Sequence, residues 1–91
     1  MLKRFRVEDE SMLPAYRPGD YVLVRAFRKL KAGDVVVFER DAKMLIKRIG
    51  KITGNSVFVV GDNLKKSTDS RAFGAVDRKK ILGKVFVHAK R

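Results

Sequence analysis

The chain contains no cysteine and no tryptophan, one histidine and two prolines. Without cysteine there can be no disulfide framework and no thiolate metal site. A single histidine, His88, leaves too few soft ligands for a metal centre. It also leaves one base for a Ser–His–Asp triad. His88 sits in "VFVHAK", a strand pattern near the C-terminus, where a lone histidine reads as structural. Acidic residues are scarce as well: 10 Asp and Glu face 22 Lys and Arg, a net charge of +12. A positive field of that size suits nucleic acid, an anionic membrane surface or acidic protein. The basic residues are scattered rather than packed into one run, so they also read as a solvated surface. No apolar run approaches the roughly 18 residues of a membrane helix. The opening "MLKRFRVEDE" has no apolar core of the kind a signal peptide requires. A complete chain of this kind is expected in the cytoplasm; an anchor removed from it would make it membrane-associated.

What is present is a β pattern over a single domain, residues 1–91. "DYVLVRAF" (20–27), "DVVVFER" (34–40), "KMLIKRIGKI" (43–52), "NSVFVVG" (55–61) and "ILGKVFVHAK" (81–90) are rich in branched and aromatic residues. Gly54-Asn55 between two of these runs is a tight-hairpin signal. Val35–Phe38 and Val57–Val60 do not alternate, which predicts burial on both faces. Short helical turns are expected around Met12–Tyr16 and Asp77–Lys80. The whole reads as all-β, a small coiled or partly open barrel. Residues 61–80, "GDNLKKSTDSRAFGAVDRKK", are too long for a plain connector; Phe73 and Val76 should pin them to the core.

Chemistry concentrates at "EDESMLP" (8–14), where three acids run into Ser11. Ser11 reads equally as a turn residue, a cap or a nucleophile. With no triad available, its activation would fall to a lysine. A lysine is a base only when neutral, and burial among apolar groups lowers its pKa from about 10.4. Lys47 in "MLIKRIG" is the best placed. Strand alternation puts Leu45 and Ile49 on its face and Met44, Ile46 and Ile52 on the other. That pattern alone leaves open which way Lys47 points.

In order, "SMLP" (11–14), "RPGDYVLV" (17–24), "AGDVVVF" (32–38), "IKRIG" (46–50), "GDNLKKSTDSRAFG" (61–74) and "ILGKV" (81–85) resemble the motif boxes of the signal peptidase I family of serine–lysine endopeptidases. The resemblance implies the catalytic-core barrel of that family. It implies Ser11 as nucleophile, Lys47 as general base, and Ser67 as the hydroxyl that orients the lysine amine. Asp69 and Arg71 would support the site, Asp62 and Asn63 would form the turn of the last box, and Met12 would line the substrate surface. No cofactor or metal is implied. The partner implied is a precursor protein with an N-terminal extension, cleaved after a small residue such as Ala, rather than a nucleic acid; peripheral contact with an anionic membrane is compatible with the charge.

Two departures stand out. Asp9 lies two residues before Ser11, where the family carries Gly or a Ser that helps bind the oxyanion. A carboxylate there must point away, pair with a cation or weaken the enzyme. Second, Lys47 and Gly61 are joined by one hairpin, with no inserted domain. That compactness, and "RVEDESMLPAYRPGD" (6–20), look most like the branch described as nickel-type superoxide dismutase maturation proteases. Two other classes compete. One is a non-enzymatic basic barrel that binds nucleic acid, stacking bases on Phe5, Phe27 or Phe58. The other is the self-cleaving repressors, which share a serine–lysine dyad. With ten residues before Ser11, cleavage in cis is not expected.

Overall fold

The computed structural model describes residues 2–27 and 29–90. Seven strands form one antiparallel sheet: β1 (Leu2–Arg6), β2 (Tyr21–Arg25), β3 (Val35–Arg40), β4 (Lys43–Thr53), β5 (Ser56–Val60), β6 (Val76–Asp77) and β7 (Ile81–Ala89). Their spatial order is β1-β2-β7-β3-β4-β5-β6. The all-β expectation holds, and the sheet is open, with β1 and β6 at its ends.

Strand β3 explains why the sheet carries two cores. Val35 and Val37 point into one cluster with Val7, Met12, Tyr16, Val22, Val24 and Ile46. Val36 and Phe38 point into the other, with Ile49, Val57, Val59 and Ile81. A strand covered on both faces needs an unbroken apolar run, which is what "VVVF" supplies. In β5 the expectation fails in part. Val57 and Val59 are fully buried, but Phe58 and Val60 are only half-buried. β5 lies nearer the sheet edge, where one face has thinner cover.

Two hairpins set the register around the site. β4 and β5 meet at Thr53↔Ser56 across Gly54-Asn55, with Gly54 at φ 59°. β3 and β4 meet at Arg40↔Lys43 across Asp41-Ala42, whose φ values are 51° and 63°. Positive φ at both central residues is the type I′ requirement, and this turn matches the twist of the strands it joins. A bulge between Ile49 and Lys51 then shifts the β4–β5 register. It moves Ile52 to the side of Leu45 and Ile49, against the second core, and not to the opposite face that plain alternation predicts.

The 61–80 segment is folded onto the body. It holds a 3₁₀ turn (Leu64–Lys66), a four-residue helix α1 (Ser70–Phe73), β6 and a second 3₁₀ turn (Arg78–Lys80). Phe73 and Val76 pack on the second core, as expected. The second turn falls within the predicted 77–80. The predicted turn at 12–16 is a single loop of backbone, closed by Tyr16 N–H donating to the Met12 carbonyl at 2.8 Å.

Candidate active site

Ser11 and Lys47 arrive at one point from opposite directions. The turn after β1 delivers Ser11; the middle of β4 delivers Lys47, paired with Val36 across the ladder. The Lys47 Nζ lies 2.6 Å from Ser11 Oγ, and the two residues are 2% and 3% exposed. Lys47 therefore points inward, on the side of Leu45 and Ile49. Burial lowers the pKa of its amine, while the charges of Asp9 and Asp69 push it back up. Removal from water disfavours the ammonium, so burial favours the form of lysine that can accept a proton.

The opposite wall is the loop that carries Ser67, Asp69 and Arg71. Asp69 is its hub and is 1% exposed. Its carboxylate accepts from Ser67 Oγ at 2.7 Å, from Gly61 N at 2.9 Å and from Arg71 Nε at 2.8 Å. It also caps α1 by accepting from Arg71 N. Burial alone would raise the Asp69 pKa; bonds from Arg71, Gly61 and Ser67 outweigh it and hold the carboxyl far below its usual range. The Ser67 hydroxyl thus donates its hydrogen bond to Asp69, leaving its lone pairs free to accept.

Asp62 and Asn63 tie this loop to the other two parts. Asp62 takes two bonds from Arg48, at 2.8 and 2.9 Å. Asn63 donates from its backbone to the Ser11 carbonyl at 2.9 Å and from its side chain to the Glu10 carbonyl at 3.0 Å. Gly61 lies against Ser67 and the Ser11 carbonyl so closely that a Cβ there would overlap both. Arg48 and Gly61 are the residues that sequence reasoning passed over. The signal for Arg48 was its place beside Lys47 in "IKRIG", with an acid in "GDN" to receive it.

Met12 is 1% exposed and belongs to the first core. It reaches the site only where it borders a cavity of about 30 Å³ shared with Ser11 and with Met44–Ile46 of β4. His88 lies elsewhere: its Nε2 is 2.7 Å from Asp20 Oδ2, and its ring stacks on Tyr16 at 4.3 Å. The pairing with Asp20 accounts for this histidine without any chemistry.

Asp9 neither points away nor pairs with a cation in contact. Its Oδ1 accepts the backbone N–H of Ser11 at 3.0 Å. This is an Asx turn, a common way for Asp to fold the chain two residues on. Burial opposes ionisation of Asp9, but the hydrogen bonds from Ser11 and the charges of Lys47 and Lys43 prevail and lower its pKa. The consequence for chemistry is direct. The N–H of a nucleophilic serine is a natural oxyanion donor, and here a carboxylate holds it.

An all-β chain that buries a serine hydroxyl against a desolvated lysine amine has the parts of a hydrolase that works through an activated serine. A family model described as Peptidase S24-like matches residues 2–86, and the chain belongs to that family. It is thus a peptidase by family, and the family shown is S24-like rather than signal peptidase I. No curated protein matches the chain.

Proposed function

We propose that the protein is a serine endopeptidase that uses a Ser11–Lys47 dyad to remove an N-terminal leader or propeptide from a precursor protein. The observation that carries this reading is the 2.6 Å approach of Lys47 Nζ to Ser11 Oγ within a buried pocket. The neutral amine takes the Ser11 proton as Oγ attacks the scissile carbonyl carbon. The carbonyl π pair becomes the oxyanion. Collapse breaks the C–N bond, and the Lys47 ammonium returns its proton to the leaving amine. Water, deprotonated in turn by Lys47, then hydrolyses the acyl ester and restores Ser11. The Ser67 hydroxyl donates to Asp69, and its remaining lone pairs are the ones that would accept from the amine and fix its direction. Ser11 N–H serves the oxyanion once the Asp9 carboxylate has turned aside.

The substrate strand has a place to lie. β3 flanks β4 along Lys43–Arg48, whereas β5 joins β4 only from Arg48 onward. Residues 43–47 therefore carry a strand on one side only, beside Ser11. An extended peptide adds to such an edge through main-chain hydrogen bonds. The compact form and the signal peptidase I motifs favour the maturation-protease branch, with a nickel superoxide dismutase precursor as the substrate. Co-expression with candidate precursors, followed by mass spectrometry of their N-termini, tests this. A new N-terminus with the wild type and none with Ser11→Ala is expected. Cleavage that survives in Ser11→Ala rules the dyad out.

A further inference from the structure

A cleft of about 350 Å³ opens beside Lys47, and its charge is not balanced. One wall is the β3–β4 hairpin, with Arg40, Lys43 and Leu45. The facing wall is the 64–73 loop, with Lys66, Thr68 and Phe73. Arg40 is held in place: its guanidinium lies over the Phe73 ring at 4.1 Å and near Asp41 at 4.0 Å. Lys43 and Lys66 form no ion pair among the described residues, and both are exposed. Two acids border the same space. Asp9 is bound to the Ser11 N–H at the inner end, and Asp41 is turned to solvent beside Arg40. Two ammonium groups outside any ion pair among the described residues therefore stand on the two walls of a cleft that Lys47 also lines.

We infer that this cleft is a specificity subsite for an acidic side chain, Asp or Glu, in the substrate segment flanking the scissile bond, held between Lys43 and Lys66. The inference rests on the peptidase reading for its orientation, but the binding it describes does not require turnover. Opposite charges across a recognition surface select partners and reject like-charged ones. A substrate carboxylate gains from both walls, while a lysine in its place meets three cations. The strength expected is that of partly exposed pairs, a several-fold effect and not an absolute requirement. Thr68 adds a hydroxyl donor at the same wall.

The test uses fluorescein-labelled peptides that share one cleavable Ala-containing core and differ by Asp, Asn or Lys at each flanking position. Binding is read by anisotropy on the Ser11→Ala protein, and cleavage on the wild type. About fivefold preference for Asp over Asn at one position is expected, with Lys worst, and Lys43→Glu/Lys66→Glu should invert that order. Lys43→Gln/Lys66→Gln, with unchanged far-ultraviolet circular dichroism, should flatten it. Equal cleavage of all three peptides overturns the subsite and leaves the peptidase reading standing. Charge-selective binding without cleavage of any peptide keeps the subsite and removes the peptidase reading. A single-stranded oligonucleotide that binds more tightly than the Asp peptide, with the same dependence on Lys43 and Lys66, overturns the assignment in favour of nucleic acid.

Discussion

Two carboxylates act on the Lys47 amine, and they are held in opposite ways. Asp69 is buried and saturated: a hydroxyl, two backbone N–H groups and a guanidinium all donate to it. Asp9 is exposed, and its hydrogen bonds come from one residue, Ser11, whose backbone N–H donates at 3.0 Å. A group with many partners is part of the scaffold, since moving it would strand each of them. A group held by one neighbouring residue is freer to turn. The same side-chain chemistry thus builds the wall of the site in one place and covers the proposed oxyanion donor in the other.

The largest effect should come from removing what both carboxylates act on. Lys47→Met should lower kcat/KM by at least about 10³-fold, as expected for loss of a base from a nucleophile–base pair. Its melting temperature should stay equal or rise, because burying an amine is costly. A Lys47→Met protein that still cleaves at near wild-type rate would remove the dyad from consideration. Next comes the scaffold carboxylate. Asp69→Ala leaves the buried Gly61 N–H without its partner and removes the acceptor of Arg71 Nε and Ser67 Oγ, and should cost about 3 kcal/mol in urea unfolding. The pH dependence has a definite sign. Asp69 titrates below its unfolded value, so its stabilisation is present above about pH 4 and is lost as pH falls through the folded pKa. Asp69→Ala should therefore show a flatter stability profile on the acid side than the wild type.

Asp9 should respond the other way. Asp9→Gly frees the Ser11 N–H and should raise kcat/KM about tenfold, a part of what one oxyanion donor is worth. A fall in activity would mean that the Asx turn matters more for placing Ser11 than the freed donor gains. The smallest effect separates charge from hydrogen bonding. Activity requires neutral Lys47, so it rises with pH through the Lys47 pKa. Asp9 raises that pKa, so Asp9→Asn should move the acid limb of the pH–rate profile to lower pH. An unmoved limb would show that Asp9 does not reach Lys47 electrostatically.

The all-β class was legible in the sequence, and several details of the frame were not. Ser11, Lys47 and the 61–74 segment could be read because their motifs are contiguous and chemically distinctive. The direction of Lys47 could not, since both faces of "MLIKRIG" are apolar. The structure settles it through the two-sided burial of β3, against which β4 pairs. β1 was missed as a strand because it is an edge. Of its residues only Phe5 packs on a core, and three of its five are Lys or Arg, which is how edges are kept from pairing further. The position of Ile52 was misread because a bulge changes the two-residue period, and no composition signal marks it. Asp9 was recognised as a problem from the sequence, but its solution depends on a turn geometry that only coordinates reveal.

The burial of Lys47 has a further consequence, for when the enzyme comes into being. The base and the nucleophile are 36 residues apart and meet only when β4 is seated in the sheet. Until then the amine is in water, charged, and unable to take a proton. On the proposed mechanism, a nascent or partly unfolded copy of this chain could not yet cleave its neighbours. Folding itself is the step that would switch on the proposed dyad.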